Sequence, residues 1–427
     1  MIFPPLFSHI HDPREQAKIT YSLPSLSFIA ILIFLCRLKA RRQVKYRLHT
    51  TAAQATFDSL FGINRIPHGD TLNNTFASLK PQQLQETICR MNETLLRKKI
   101  LSPSRILGTY YLVGIDGSGV FTYTSQHCPH CLTRKQGNHL QYYHPVVEAK
   151  LITPDGFAFS LMTEFIENIS AGQSVQDCEL KAFYRLAKRL KKRFPRLPIL
   201  LTLDGLYAGG PTFSLCRRYG WKYMIVLKDK DLKTVNEEFN ALRHLQTDNR
   251  FTWKTGPRNA VKQSFQWVTD IDYSDSVGKE HTLNVLECLE RKQNKKGEEQ
   301  CKKFKWITNL TITKKQVAHI AQEGGRNRWK LENEGFNVQK NGGYELEHAY
   351  TTNPTSAKIF YFFLQIAHII AQLMEKGDLI KKCLATPIGS NRNIAFRILE
   401  AWRNVILTDN YIKNFRSLKL QIRFRGS

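Results

Sequence analysis

The chain has 427 residues and a formal net charge of +27, because 63 lysines and arginines outnumber 36 aspartates and glutamates. A hydrophobic fraction of 42% is ordinary for a globular protein, which excludes a disordered chain and allows two or three domains. The excess positive charge predicts a polyanionic partner, a nucleic acid rather than an anionic membrane surface.

The nine cysteines are thinly spread and indicate no disulfide framework. The N-terminal stretch lacks the pattern of a signal peptide. The apolar run at residues 26–36 is shorter than the ~20 residues that span a bilayer. We therefore expect a cytoplasmic protein with reduced thiols and no membrane partner.

Residues 1–104 are predicted to form a helical N-terminal DNA-binding domain. Helix starts are indicated at Asp12-Pro13, at Asp70 and at Pro81. A basic cluster lies within this stretch, although no clean helix-turn-helix is recognisable: Arg37, Lys39, Arg41, Arg42, Lys45 and Arg47.

From residue 105 the hydrophobic period becomes that of strands. Strands are predicted at 110–116, 146–152, 157–165, 198–204 and 222–228, with helices at 180–190 and 211–219. Three strands followed by helix, strand, helix and strand is the order of an RNase H-like fold. We predict an α/β protein whose RNase H-like mixed sheet, with flanking helices, occupies 105–228 and resumes at 304–375.

The remaining segments differ in character from this core. Residues 229–303 predict a β-rich insertion that ends in a charged loop at 291–303. A long, mostly buried helix is expected at 359–373, and residues 376–427 predict a basic helical tail.

Two predicted strands are each followed by an aspartate and a glycine, Asp116-Gly117 and Asp204-Gly205. The glycine lets the backbone turn away and leaves the carboxylate facing outward. A single Asp-Gly pair is more often only a turn. Two pairs at the ends of the first and fourth strands favour a shared site, because this topology brings those ends together.

A third carboxylate is predicted on a helix further along the chain. Arg328 and Glu332 are spaced i, i+4 and share a face, an arrangement that is often only a surface ion pair. We assign Glu332 to metal binding, with Glu334 as its rival, and Arg328 and Lys340 to phosphate. Three carboxylates can hold two Mg²⁺ or Mn²⁺ ions about 4 Å apart for phosphodiester chemistry.

A cysteine–histidine cluster follows the first strand, in His127-Cys-Pro-His-Cys131 and the histidines downstream. Cys128, Cys131, His139 and His144 are the predicted ligands of a structural Zn²⁺ that rigidifies a loop beside the active site. The alternative is a free, reduced cysteine pair in a surface loop.

The helix at 180–190 is strongly basic. Lys188, Arg189 and Lys192 are expected to contact phosphate, because the helix carries no compensating acid beyond Glu179. A solvated face is the alternative for such a run.

Asp116, Asp204 and Glu332 together resemble the DDE triad of bacterial insertion-sequence transposases. Arg328-Trp-Lys-Leu-Glu332 with Lys340 is similar to the Tyr-Arg-Glu-Lys signature of their cut-and-paste group. The signature tyrosine would fall at Gly325, and Lys340 lies one residue late.

The resemblance implies metal-dependent cleavage of DNA at transposon ends and strand transfer into target DNA. It also implies double-stranded DNA as the partner, a homodimer and a nucleoid-associated location. The alternatives are a transposase-derived DNA-binding protein without catalysis and a stand-alone RNase H-like nuclease.

Overall fold

The protein is described by a computed structural model, which covers residues 6–169, 175–256, 260–293, 298–377 and 389–417. The predicted basic tail at 376–427 therefore lies partly outside the described residues, as does part of the predicted loop at 291–303.

The N-terminal part contains the helices predicted near Asp70 and at Pro81, but the helix start predicted at Asp12-Pro13 is wrong, since a 3-10 turn at Gln16–Lys18 lies there and the first α-helix begins at Leu23. Ser22 and Thr50 begin the first two helices, since their side chains accept hydrogen bonds from the backbone N–H groups of Ser25 and Ala53. The four helices are α1 (Leu23–Leu35), α2 (Thr51–Phe61), α3 (Gly69–Phe76) and α4 (Pro81–Arg97).

The centre of the molecule is a ten-stranded mixed sheet. Its order is β2-β3-β1-β5-β6-β10-β9-β8-β7, with β4 paired to β3. The strands are β1 (Tyr111–Tyr123), β2 (Leu132–Gln136), β3 (His139–Ile152), β4 (Ala158–Phe165), β5 (Ile199–Leu203), β6 (Lys222–Val226), β7 (Arg250–Thr255), β8 (Val261–Ser274), β9 (Glu280–Gln293) and β10 (Glu299–Thr308).

Strand direction and flanking helices confirm the RNase H-like α/β class. β3 runs antiparallel to β1, while β1, β5 and β6 run parallel. Helices connect the parallel strands, as parallel pairing requires. They are α5 (Glu179–Arg193) before β5 and α6 (Gly210–Tyr219) before β6, followed by α7 (Lys233–Leu242).

The strands of the β-rich segment continue the central sheet, because β10 pairs antiparallel with β6. The predicted loop at 291–303 is wrong in its extent, since β9 reaches Gln293 and β10 begins at Glu299. The first five residues of β10 are all exposed, so this part of the strand carries polar residues on both faces and resembles a loop in sequence.

β1 is longer than predicted and passes through Asp116 without ending. It continues to Tyr123, paired with β3 and interrupted by a register shift between Gly119 and Phe121. The expectation that Gly117 turns the backbone away is therefore wrong. Strand pairing with β3 continues on both sides of this glycine.

The segment from Val317 to Asn341 is irregular. It joins α8 (Val317–His319) to α9 (Val338–Asn341) through π turns at Ile320–Gly325 and Leu331–Asn337 and a 3-10 turn at Arg326–Arg328. Gly325 packs against the indole of Trp306, where a Cβ would lie 2.5 Å from ring atom Cε2. This contact leaves no room for a tyrosine at position 325.

The last described helices are α10 (Pro354–Lys376), α11 (Asn391–Asn404) and α12 (Asp409–Ser417). Within the described part of the chain, α10 alone is long and apolar enough to cross a membrane. Its most apolar window is 83% buried inside the protein, and core helices commonly pass the same length test. α10 packs on α1 and α4 within one hydrophobic core.

A buried polar network ties the sheet to α10. The Glu148 carboxylate on β3 accepts hydrogen bonds from Ser160, from Thr163 at 2.7 Å and from the Tyr361 hydroxyl of α10. The Lys150 ammonium lies 3.6 Å away and is fully buried. Such a carboxylate is tolerated in the core only because donors surround it.

Replacing Tyr361 with phenylalanine should lower the free energy of unfolding by about 1–3 kcal/mol, because one donor to a buried carboxylate is lost. Urea denaturation measures the change. Tyr411→Phe is the matched control, since this tyrosine is 60% exposed. Equal stabilities of the two variants would contradict a structural role for the network.

Candidate active site

The pairing of β1 with β5 determines where the two aspartates lie. Gly114 pairs with Thr202, and two further residues along each parallel strand lead to Asp116 and Asp204. Neighbouring strands are about 4.8 Å apart, and residues two apart point to the same face. The Asp204 carboxylate accepts a hydrogen bond from the Leu206 N–H at 2.9 Å, which fixes its orientation.

Arg328 joins Asp116 to Glu332. Its Nη1 lies 3.3 Å from Oδ2 of Asp116, and its Nη2 lies 2.6 Å from Oε1 of Glu332. The neighbouring Leu331 packs over Gly114, where a Cβ would approach the leucine side chain to 3.1 Å. The missing side chain at Gly114 thus lets the irregular helical segment approach β1 and brings Glu332 beside Asp116.

Asp116 lies among other carboxylates, and we call the site around Asp116, Asp204 and Glu332 the carboxylate pocket. Burial raises the pKa of Asp116 to about 6, the Arg328 guanidinium opposes the rise, and the charges of Asp204, Glu179 and Glu332 add to it. Oxygen ligands and concentrated negative charge are what Mg²⁺ prefers. Asp116, Asp204 and Glu332 are therefore the candidate ligands of a hard divalent cation, with Arg328 between Asp116 and Glu332 in this structure.

A fourth carboxylate near Asp116 belongs to Glu179 at the start of α5, and the sequence did not predict this position. It accepts a hydrogen bond from the Tyr207 hydroxyl at 2.6 Å. A Cβ at Gly117 would overlap the Glu179 carboxylate, so the glycine is needed for close approach. Burial and the Glu179 charge raise the pKa of Tyr207, which keeps this hydroxyl a donor. The only sequence signal was an acid in the first helical turn.

The rival acid, Glu334, faces elsewhere. Its carboxylate pairs with the Lys376 ammonium of α10 at 3.2 Å, near the β3–β4 turn. Glu332 and Glu334 lie two residues apart in the π turn at Leu331–Asn337 and have different partners, Arg328 for Glu332 and Lys376 for Glu334. Lys340 pairs with Glu347 at 2.8 Å, and within the described residues no contact joins Lys340 to the carboxylate pocket.

Acids from other elements partly neutralise the basic helix α5, so the expectation that it has no compensating acid beyond Glu179 is wrong. Arg189 pairs with Glu164 of β4 at 2.6 Å. Lys188 and Lys192 are exposed. Further pairs on the same helix join Arg185 to Glu164 and Asp177, and Arg193 to Glu86 and Glu93.

Part of the N-terminal basic cluster also has protein partners. The Arg37 guanidinium lies over the Tyr344 ring, 3.3 Å from its centre. Lys39 pairs with Glu345 at 3.1 Å, and Arg41 pairs with Asp70 at 3.2 Å. Arg37 and Lys39 thus contact the segment that follows α9, and Arg41 contacts α3, so these cations are poorer candidates for phosphate contacts than unpaired lysines.

The cysteine–histidine cluster differs from its prediction in one ligand. His127, Cys128, Cys131 and His144 offer ligand atoms that all lie within 4.8 Å of one another. His139 is wrong as a member, because it pairs with Gln136 at the tip of the β2–β3 hairpin. Five strand residues, about 16 Å, separate it from His144.

A family model described as DDE_Tnp_1-associated matches residues 5–91, which include α1, α2, α3 and most of α4. No curated protein matches the chain. The matched domain indicates a DDE-superfamily transposase family, without identifying the Tyr-Arg-Glu-Lys group.

The raised pKa of Asp116 should make stability depend on pH in chelator-treated protein. The folded carboxyl keeps its proton up to about pH 6, whereas the unfolded one loses it near pH ~4. The free energy of unfolding should therefore fall as the pH rises between these values.

In the Asp116→Asn protein the free energy of unfolding should no longer fall as the pH rises from about 4 to about 6, because asparagine does not titrate. At pH 7 it should be roughly 1–3 kcal/mol higher than in the wild type. Urea denaturation at pH 4 and pH 7 measures it. Asp248→Asn, at an exposed position, is the control. An Asp116→Asn protein that is less stable than wild type at pH 7 would contradict the assignment.

Proposed function

We propose that this chain is a DDE transposase of the cut-and-paste type, which cleaves DNA at transposon ends and joins the freed ends to target DNA. The observation that carries the proposal is the position of Asp116 on β1, with Asp204 at the level of Asp116 just after the neighbouring strand β5 and with Glu332 joined to Asp116 through Arg328. The DDE-associated N-terminal domain supports the same family.

Asp116, Asp204 and Glu332 would hold a pair of Mg²⁺ or Mn²⁺ ions. When bound, such ions supply Lewis-acid stabilisation of the attacking and leaving oxygens of a phosphodiester. The raised pKa of Asp116, which is caused first by burial and then by the neighbouring charges, supports the fit, since a bound cation would favour the charged form of this carboxylate.

The surrounding residues have positioning roles in this proposal. The Leu206 N–H orients Asp204, and Tyr207 holds Glu179 against Gly117. Arg328 compensates the negative charge between Asp116 and Glu332. Its planar guanidinium is also suited to two hydrogen bonds with a phosphate. Glu332 is favoured over Glu334, because Glu334 already pairs with Lys376.

Double-stranded DNA is the proposed partner, and a homodimer that holds two transposon ends is the proposed assembly. The charge of +27 supports binding to DNA. The dimer rests on the resemblance to insertion-sequence transposases. Lys188 and Lys192 of α5 are the proposed phosphate contacts, and the ion pair of Arg189 with Glu164 gives that arginine a structural role.

Asp116→Asn, Asp204→Asn and Glu332→Gln should each lower Mg²⁺-dependent cleavage at least about 100-fold, because several kcal/mol of charge stabilisation depend on the metal site. The substrate is a plasmid that carries the DNA flanking the gene on both sides, and gel electrophoresis separates cleaved from strand-transfer products.

Glu334→Gln is the matched control and should retain cleavage, while gel shifts should show DNA binding by all four variants. Full cleavage by the Asp116→Asn protein would refute the mechanism. Wild-type binding without cleavage would favour a non-catalytic DNA-binding protein, and cleavage without strand transfer would favour a stand-alone nuclease.

The double variant Lys188→Glu, Lys192→Glu should weaken DNA binding and reduce the slope of log affinity against log salt by about 2, if each lysine neutralises one phosphate. Fluorescence anisotropy at several salt concentrations measures the slope. Lys254→Glu, Lys262→Glu on the exposed β7–β8 edge is a charge-matched control. An equal change in both double variants would contradict a specific role for α5.

A further inference from the structure

Four metal-ligand side chains form a compact group, three in the loop between β1 and β2 and the fourth, His144, on β3. The Sγ atoms of Cys128 and Cys131 are 3.4 Å apart, and Nε2 of His144 lies 3.4 Å from each of them. Nδ1 of His127 lies 3.3 Å from Sγ of Cys131. Tetrahedral Zn²⁺ with bond lengths of about 2.0–2.3 Å places its ligands at similar separations.

The histidines are held with their nitrogens towards the thiols. Nδ1 of His144 lies 3.5 Å from Oε1 of Glu167, which leaves Nε2 for the cysteines. Glu167 is itself fixed by Lys358 of α10 at 2.6 Å. A carboxylate behind a histidine is the usual outer partner of a zinc ligand, because it fixes the ring orientation and the tautomer. The His127 ring packs against Tyr123.

Hydrogen bonds with Asn168 also hold the loop around the cysteines without a metal ion. The Asn168 side chain donates to the Cys131 carbonyl at 3.0 Å, and the Asn168 carbonyl lies 2.8 Å from Nδ1 of His130. Both cysteines are buried free thiols. The group is therefore supported by β3, β4 and α10 as well as by the local sequence.

We propose that His127, Cys128, Cys131 and His144 bind one structural Zn²⁺. Two thiolates and two neutral imidazoles in a closed tetrahedral set favour zinc over Mg²⁺ or Ca²⁺. Binding converts two thiols to thiolates and releases two protons to solvent.

The proposed zinc site is separate from the carboxylate pocket. His144 pairs with Phe121, five residues along β1 from Asp116, or about 16 Å. The ion would fasten the β1–β2 loop to β3 at this end of the sheet and would not take part in DNA cleavage. The site therefore goes beyond the proposed transposase activity.

Metal analysis of the full-length protein, purified with zinc in the medium and dialysed, tests the proposal. The expected result is one zinc per chain, and Cys128→Ser, Cys131→Ser should lose it. His127→Gln should lose or weaken binding, whereas His139→Gln should keep it. Cys178→Ser is the control for a cysteine substitution at an exposed position.

Wild-type protein supplies a readout that does not depend on the folding of any variant. Cobalt(II) added after chelation should give the visible absorption of a tetrahedral, thiolate-bound ion, and zinc should displace it. Glu167→Gln should weaken zinc affinity about 10–100-fold.

Wild-type protein without zinc that also gives no tetrahedral cobalt spectrum would overturn the proposal. So would equal loss of zinc in the His139→Gln and His127→Gln proteins. These results do not depend on DNA cleavage, so the zinc site and the transposase activity can fail separately.

Discussion

The parallel pairing of β1 with β5 is the constraint on which the candidate active site depends. It places Asp116 and Asp204 on neighbouring strands at the same level, although 88 residues separate them in the sequence. A slip of one residue would turn one carboxylate to the opposite face of the sheet. The register is maintained by apolar residues on both strands, which are fully buried, such as Leu112, Leu200 and Leu201.

Close approach of other elements completes the pocket and accounts for its glycines. Leu331 packs over Gly114 and brings Glu332 to β1, while Glu179 occupies the space beside Gly117. Burial raises the pKa of Asp116, the charges of the neighbouring carboxylates add to the rise, and Arg328 opposes it. The carboxylate pocket thus combines side chains fixed by the sheet with a concentration of negative charge that favours a bound cation. Both properties suit a metal site better than a surface ion pair.

Periodicity and strand order were enough to predict the fold class, and the i, i+4 spacing predicted the contact between Arg328 and Glu332. Contacts between distant elements were not predictable from one sequence. Glu179 reaches the pocket through the packing of α5, and Glu164 of β4 neutralises Arg189. The hairpin register removes His139 from the cysteines and leaves His127 in its place.

Anomalous diffraction from crystals soaked in Mn²⁺ tests whether Asp116, Asp204 and Glu332 bind metal. We expect manganese peaks bound by Asp116 and Asp204, with Glu332 as a further ligand once Arg328 has moved aside. The crystals should be of protein whose cysteine–histidine cluster is already filled with zinc, so that manganese binds only at carboxylates. Manganese bound at Glu334 and Glu347, with none between Asp116 and Asp204, would contradict the proposed metal site.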